Sequence, residues 1–268
     1  MKRRSMIYKL IFYTFAIAGG APLVVLLIFA VSASWPYPDL LPEILSPKYL
    51  AYVFISNRQT FGALAVSVLI SVLVTLLTLA IAIPAAKALG LYKFKGREFI
   101  KLLVLLPLIV PAITITMGIH TSMIRVGLAG KMSGVILVHT VFALPYAIRL
   151  LTDVFEIIGE SYEQQAWMLG AGALLTFRDV TLPLLMPGIL SASVMSFIVS
   201  FSQYITTFLI GGGNIITLPM LMVPYIQNGE TQISAVYSLL FVFAALISLY
   251  AIEKLLSKYY RNLKVFYV

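Results

Sequence analysis

Six long apolar runs dominate this sequence and restrict what the chain can fold into. They cover approximately residues 10–34, 61–86, 99–119, 133–151, 184–210 and 233–256. A helix needs about 20 mostly apolar residues to cross a hydrocarbon core about 30 Å thick. Helices are expected because lipid offers no partner to an unpaired backbone amide, and the alternating strands of a membrane β-barrel are absent. The runs predict an all-α membrane protein with six transmembrane helices.

The composition also indicates a lipid environment. Of the 268 residues, 61% are hydrophobic and only 11% are charged, which is more apolar surface than a soluble domain of this length can bury. The net charge of +9 could indicate nucleic acid. The charges fall in short clusters between apolar runs, however, so no nucleic-acid partner is expected. Cysteine is absent, which excludes disulfides and thiolate metal sites.

The N-terminal sequence MKRRSMIYKL precedes the first apolar run and could belong to a signal peptide. The run over 10–34 is too long for the apolar part of a typical signal peptide, and no convincing small-residue cleavage site is present. We therefore expect a retained first helix after a short N-terminal segment, 1–9. The transmembrane domain is expected over 10–256, followed by a tail over 257–268.

The distribution of Lys and Arg predicts which side of the membrane each loop occupies. If the N-terminus is cytoplasmic, the inner segments hold fifteen of the 19 Lys and Arg residues. The outer segments hold the other four, Lys48, Arg58, Arg125 and Lys131. Short cytoplasmic loops carry an excess of positive residues. Both termini are therefore predicted to be cytoplasmic.

The inner segment 152–183 differs from the other inner loops because it is acidic and broken by glycine. Its acidic residues are Asp153, Glu156, Glu160, Glu163 and Asp179. Ser161 is expected to cap a short helix through Leu169, and Gly170-Ala171-Gly172 is expected to end it, since glycine tolerates the left-handed cap. An acidic loop that runs against the positive bias of the inner side indicates a surface for a protein partner.

The spacing within this segment resembles the EAA motif of permease subunits in bacterial and archaeal ABC importers. That motif reads E-A-A, three residues, G, nine residues, then I-x-L-P. Here Gln164-Gln165-Ala166 precede Gly170, and Val180-Thr181-Leu182-Pro183 follow after nine residues. Glutamines replace the motif's glutamate and first alanine, Glu163 stands immediately before them, and Val180 replaces isoleucine. The segment lies between the fourth and fifth of six spans on the predicted inner side, as the family requires.

Two later stretches are similar to one branch of that family. Phe201-Ser202-Gln203-Tyr204 and the glycine-rich stretch 211–219 resemble the branch that contains spermidine/putrescine and ferric-iron permeases. The resemblance covers most of the chain. It implies the MetI-like bundle of a type I ABC importer.

The resemblance implies a permease subunit in the cell (inner) membrane that forms half of a translocation pathway for a small solute. Such importers join two permeases, identical or homologous, to two cytoplasmic ATP-binding subunits, and an extracytoplasmic solute-binding protein delivers the solute. The loop within 152–183 would dock on an ATPase subunit. Within it, the residues expected to make or support that contact are Glu163, Gln164, Ala166, Gly170, Leu174 and Pro183.

The sequence fits a transporter subunit without its own motor. It contains no G-x-x-x-x-G-K-[ST] phosphate cradle, so ATP hydrolysis is expected in a separate subunit, and no cofactor is expected. The residues do not identify the solute.

Polar side chains follow one face of the fifth span. They recur three or four residues apart and comprise Ser193, Ser196, Ser200, Gln203 and Thr207, with Tyr204 adjoining. Such a stripe lines a translocation pathway or packs against other helices, where hydroxyls and small residues are common. The pathway interpretation is favoured for Gln203 and Tyr204.

Two features of other spans concern the packing of the bundle. His139 is expected to hydrogen bond across the bundle and not to bind a metal, because no H-E-x-x-H or acidic cluster accompanies it. Pro107 and Pro111 are expected to kink the third span.

Two other classes of membrane protein are compatible with six spans. A stand-alone secondary carrier or channel would leave the acidic inner loop without a purpose, and such carriers often show an inverted repeat. An intramembrane enzyme would need a nucleophile beside a base, and no motif provides that pair, so no catalytic residue is expected.

Overall fold

The computed structural model describes residues 2–36, 38–39 and 41–262, except for the side chains of 2–11, 16 and 259–262. Its helices are α1 (Lys2–Ala30), α2 (Lys48–Ala51), α3 (Gln59–Leu91), α4 (Arg97–Ile109), α5 (Ala112–Arg125), α6 (Met132–Ile158), α7 (Ser161–Met168), α8 (Ala173–Thr176), α9 (Leu182–Phe201), α10 (Ile205–Gly211), α11 (Leu218–Gln227) and α12 (Thr231–Asn262). The strands β1 (Ser32–Ser34) and β2 (Ile44–Leu45) pair antiparallel. Wider π-type turns continue α2 over Tyr52–Ser56 and α8 over Phe177–Thr181.

The long helices agree with the predicted spans. Within the described residues, five helical segments are long and apolar enough to cross a membrane, and α4 with α5 passes the same test as one bent span. The helices α1, α3, α6 and α12 correspond to the first, second, fourth and sixth predicted spans. The all-α membrane class is therefore confirmed.

The third predicted span is broken. Its two halves, α4 and α5, are bent by 101° at Val110 and Pro111. Val110 is extended, with ψ at 134°, because the following proline ring disfavours helical geometry in the residue before it. Pro107 lies inside α4. The expected kink of the third span is thus a full break at Pro111, sharper than predicted.

The fifth predicted span is broken as well, between α9 and α10. The Ser202 hydroxyl donates to the Ile198 carbonyl at 2.9 Å, and the Gln203 N–H donates to the Ser200 carbonyl at 3.2 Å. Hydroxyl bonds of this kind compete with the backbone ladder of a helix. The prediction of one continuous helix over 184–210 was therefore wrong.

The contacts divide the chain into two compact units, one made of 1–64 and 218–244 and the other of 65–217 and 245–268. In the first unit, the Asn57 amide donates to the hydroxyl of the fully buried Tyr237 at 2.9 Å. The Tyr237 ring stacks on Tyr225, with centroids 5.5 Å apart. These contacts join the segment before α3 to α11 and α12 within that unit.

The second unit is centred on α6, which packs between α3 and α9. Its core includes Ala86 from α3, Phe155 from α6 and Leu185 from α9, all buried. A Cβ atom at Gly90 would lie only 2.6 Å from that of Phe155, so glycine permits the close approach of α3 to α6. Because α6 leads into the inner loop and α9 leads out of it, this core holds both ends of the loop.

The helix α12 continues past the predicted end of the transmembrane domain at 256. The described part of the predicted tail, 257–262, is therefore helical. Residue 1 and residues 263–268 lie outside the described residues.

Candidate functional site

The segment between α6 and α9, residues 159–183, forms a folded loop that we term the coupling loop. Its first helix, α7, is followed by Gly170 at φ +85° and then by α8. The left-handed glycine after α7 confirms the expected helix end. Ser161 is the first residue of α7, Glu160 is in the capping position, and no side chain caps the helix. The expectation that Ser161 caps α7 was wrong.

A buried carboxylate fastens the coupling loop to the bundle. The Lys87 Nζ atom of α3 donates to both carboxylate oxygens of Glu163 at 2.8 Å. The Thr181 hydroxyl, at the other end of the loop, donates to Glu163 Oε1 at 2.5 Å. The Glu163 side chain is 7% exposed and that of Lys87 is 26% exposed. The pairing supplies the partners that a buried charge requires.

The far end of the coupling loop presents apolar side chains to the surroundings. Met168, Leu169 and Leu174 are 78%, 89% and 82% exposed, respectively, and we term these three residues the apolar tip. They flank the bend at Gly170 from both sides. Clustered, exposed, large apolar side chains mark a surface that another molecule covers.

The six residues expected to make or support the ATPase contact divide into two groups. Gln164, Gly170 and Leu174 are exposed, and the Gln164 amide donates to Glu160 at 3.3 Å. Glu163 and Pro183 are buried, and Ala166 is half-buried. Pro183 lies in the first turn of α9, where proline is well accommodated. Glu163 and Pro183 therefore position the loop, while the exposed residues form its outer surface.

A buried histidine bridges the break in the fifth span. His139 of α6 is 1% exposed. Its Nδ1 atom is 3.0 Å from the Ser200 hydroxyl of α9, and its Nε2 atom is 3.1 Å from the Thr207 hydroxyl of α10. The expectation that His139 hydrogen bonds across the bundle is confirmed. One imidazole thus connects the two helices on either side of the break.

The lower part of the polar stripe lies inside the packed bundle. Ser193 and Ser196 are buried, and the Ser193 hydroxyl donates to the Ile189 carbonyl of its own helix at 2.6 Å. Small hydroxyl residues in such positions allow membrane helices to pack closely. These two positions agree with the packing interpretation of the stripe.

The upper part of the stripe adjoins an open cleft. This cleft, beside Gln203, has a volume of about 340 Å³. Gln203 lines it together with Tyr146 of α6 and the bend at Val110 and Pro111. Tyr204 stacks on Phe208, with ring centroids 5.9 Å apart. Gln203 thus borders this cleft, and its Oε1 atom accepts a hydrogen bond from the Thr206 hydroxyl at 3.1 Å.

Sequence reasoning missed several residues of these sites. Lys87 and Thr181 were not foreseen as partners of Glu163, although a single lysine near the end of an apolar run is a signal for a buried acid elsewhere. Tyr146 was missed because nothing in the sequence relates it to Gln203. Met168 and Leu169 were missed as surface residues because apolar side chains are usually assigned to a core.

Comparison with a protein-family profile gives a match over most of the chain. The profile described as "Binding-protein-dependent transport system inner membrane component" matches residues 79–261. The matched region contains the coupling loop, the broken fifth span and His139.

Individual relatives have related roles. The molybdenum transport system permease protein ModB of Mycobacterium tuberculosis is 30% identical over 220 residues, covering 76% of this chain and 82% of that protein. The thiamine transport system permease protein ThiP of Brucella abortus is 31% identical over 158 residues, covering 52% of this chain and 28% of that protein.

A solved structure shares the fold. A chain of a bacterial ABC transporter involved in the import of the acidic polysaccharide alginate superimposes with a TM-score of 0.72 and 16% identity. The match covers 94% of this chain and 96% of that one. Both chains therefore have the same helical architecture.

Proposed function

Because this chain belongs to the family of binding-protein-dependent transport system inner membrane components, and is a permease subunit of an ABC importer in the cell membrane, we propose that its coupling loop docks on a separate cytoplasmic ATPase subunit. The apolar tip is the docking surface in this proposal. The buried Glu163 connects that surface to α3 and α9.

The observation that carries the proposal is the contrast between the two ends of the loop. The tip exposes three large apolar side chains, and exposure of that kind is unfavourable in water unless a partner covers it. The base is fixed by Lys87 and Thr181 through one carboxylate. A displacement of the tip is therefore passed to the bundle.

The energetic requirement for coupling is that ATP binding favours one arrangement of the bundle over another. A ligand that interacts equally with both arrangements shifts nothing. In the proposed assembly, closure of two ATPase subunits moves two coupling loops, one from each permease. The second permease is a further copy of this chain or a homologue, and an extracytoplasmic binding protein supplies the solute.

For the solute, we propose an oxyanion of the molybdate class. The relative from M. tuberculosis is named for molybdenum transport, and the cleft beside Gln203 is lined by neutral side chains that include the Tyr146 hydroxyl. Gln203 and Tyr146 are the polar side chains of this mostly apolar lining, and no acidic side chain for a polycation is among the lining residues. Polyamine and ferric-iron cargo are the alternatives that the branch resemblance raises.

The docking proposal is tested by purifying the permease with its ATPase in mild detergent. Leu174→Asp places a charge on the apolar tip and should reduce the retained ATPase at least tenfold. Leu45→Asp is the matched control, since Leu45 is also exposed, at 68%, but lies on β2. Equal retention of ATPase by the wild type and Leu174→Asp would contradict the proposal.

The solute proposal is tested in vesicles that contain the complete importer and its binding protein. Uptake of labelled molybdate should depend on ATP and should fall in Gln203→Leu. Putrescine, ferric citrate and thiamine are the comparison cargoes. ATP-dependent uptake of one of these, without uptake of molybdate, would overturn the assignment and leave the docking proposal intact.

A further inference from the structure

The turn between α3 and α4 contains residues to which the proposed transport function assigns no role. It reads Tyr92-Lys93-Phe94-Lys95-Gly96, so aromatic and basic residues alternate. All four of these side chains are exposed, with Tyr92 at 50% and Phe94 at 41%. Gly96, at φ +87°, reverses the chain into α4.

The basic residues near this turn form two groups. Arg97 donates to Glu156 at 2.7 Å and to the Leu89 carbonyl at 2.6 Å, and Lys101 donates to Glu156 at 2.9 Å. These bonds anchor the turn to α6. Lys93 and Lys95, in contrast, have no carboxylate oxygen within 4.0 Å in the part of the chain that the structure describes. Their positive charge is available to a partner.

The position of the turn indicates the depth at which that partner lies. The helix α3 has 33 residues. At 1.5 Å per residue it is roughly 50 Å long, which exceeds a hydrocarbon core of about 30 Å. The turn at its end therefore reaches the headgroup region on the predicted cytoplasmic side. A shallow cleft of about 290 Å³ opens there, lined by Lys93, Phe94, Gly96, Arg97, Glu98 and Phe99. The Glu98 carboxylate in this lining is paired with Lys101 at 3.5 Å.

We propose that the α3–α4 turn binds the headgroup of an anionic phospholipid. Lys93 and Lys95 attract the phosphate, and Tyr92 and Phe94 lie at the level where aromatic side chains anchor membrane proteins. Juxtamembrane lysines attract the anionic inner leaflet, and each adds roughly fivefold to the affinity. Arg97 and Lys101 connect the turn to Glu156 of α6. A lipid bound at the turn is therefore linked to the helix that leads into the coupling loop.

The test is native mass spectrometry of the full-length chain in detergent with added dioleoyl phosphatidylglycerol. The double variant Lys93→Gln/Lys95→Gln should need roughly 25-fold more of this lipid to reach the same occupancy, given about fivefold per lysine. The matched control is Lys48→Gln/Lys131→Gln, which removes two exposed lysines of the predicted outer side and should bind like the wild type. Unchanged binding by the first variant would overturn the proposal.

Two further arms identify the source of the phosphate. Dioleoyl phosphatidylcholine should bind weakly and equally to all variants. Soluble glycerol 3-phosphate should not displace phosphatidylglycerol at equal concentration, and displacement would show a site for free phosphate esters, contrary to the proposal. The variants should melt at the wild-type temperature without lipid, because all the altered side chains are exposed.

Discussion

The Nζ atom of Lys87 lies 2.8 Å from both carboxylate oxygens of Glu163, although 76 residues separate the two in the sequence. The contact joins α3 to the first helix of the coupling loop. Thr181 binds the same carboxylate from the last turn of the loop. One side chain thus contacts α3 and both ends of the coupling loop, so a movement of the loop that keeps these contacts also displaces α3.

Replacing Glu163 by Gln should loosen the coupling loop without unfolding the helices. The substitution removes the negative charge from a pair whose side chains are 7% and 26% exposed, and leaves Lys87 without its counter-ion. Leaving one partner of such a pair unsatisfied costs about 1–3 kcal/mol. Limited proteolysis should show faster cleavage at 168–173, and ATP hydrolysis by the assembled importer should respond less to the loaded binding protein.

The control for that experiment is Glu160→Gln, which removes an acid of the same loop whose carboxylate accepts a hydrogen bond from the Gln164 amide at 3.3 Å. It should leave proteolysis and coupling unchanged. The exchange variant Lys87→Glu/Glu163→Lys should recover part of the coupling, because it restores opposite charges at the same two positions. Equal damage by Glu160→Gln and Glu163→Gln would refute the role assigned to the buried pair.

Substitutions of Gly170 should separate the conformation of the bend from the chemistry of the docking surface. A Cβ atom there meets nothing within 4 Å, so Ala should cost only the backbone strain of about 1–2 kcal/mol. Asn tolerates the left-handed conformation better than Ala. Gly170→Asp is nearly isosteric with Gly170→Asn but adds a charge beside the apolar tip.

We predict that Gly170→Asn retains the ATPase in pull-down assays and that Gly170→Asp loses it while the bundle stays folded. Circular dichroism and size-exclusion chromatography check the fold of each variant. If Asn and Asp behave alike, the apolar character of this surface is not what the partner recognises.

The sequence predicted the number of spans because the length of an apolar run is a direct requirement of the bilayer. The break at Pro111 was partly foreseen, since proline and its predecessor both disfavour a continuous helix. The break at Ser202 was not, because serine hydroxyls bond to helix carbonyls in intact helices as well. The structure shows the break, with His139 bonded to Ser200 before it and to Thr207 after it.

The sequence predicted those features of the candidate site that depend on local patterns and missed those that depend on distant contacts. The spacing from Gln164 to Pro183 identified the coupling loop, and the left-handed Gly170 agrees with a local rule. The direction in which Glu163 points depends on Lys87, which is distant in sequence. Local patterns cannot provide such a contact, so Glu163 was expected on the docking surface and lies inside.

Gly90→Ala should destabilise the bundle by about 1–3 kcal/mol through overpacking. The added methyl would lie 2.6 Å from the Phe155 Cβ atom and 3.1 Å from the Thr152 carbonyl oxygen. Gly62→Ala in the same helix is the matched control, because nothing lies within 4 Å of its Cβ position. Thermal unfolding in detergent should show a lower midpoint for Gly90→Ala only, and equal midpoints would argue against the close approach of α3 to α6.

His139→Ala should separate α9 and α10 from α6 by removing both hydrogen bonds of the imidazole. We expect a loss of about 1–3 kcal/mol in stability, since two buried hydroxyls lose a partner. A double-mutant cycle with Ser200→Ala should give a coupling energy of about 0.5–1.5 kcal/mol. His120→Ala serves as a control, because His120 is half-exposed. Strict additivity in the cycle would contradict the bridge across the break.

The docking of the coupling loop on a separate ATPase subunit is tested most directly by crosslinking. Because the natural sequence contains no cysteine, one introduced thiol is unique in this chain. Leu174→Cys places a single thiol on the apolar tip, and a maleimide that carries a benzophenone is attached to it in membranes that contain the assembled importer, so that light crosslinks the tip to C–H bonds of whatever protein covers it. We predict one crosslinked product, formed with the ATP-hydrolysing subunit, whereas Leu45→Cys gives none with that subunit. Labelling of the Leu174→Cys thiol by a membrane-impermeant reagent from outside the cell would contradict docking on a cytoplasmic ATPase, as would the absence of any product with the ATPase.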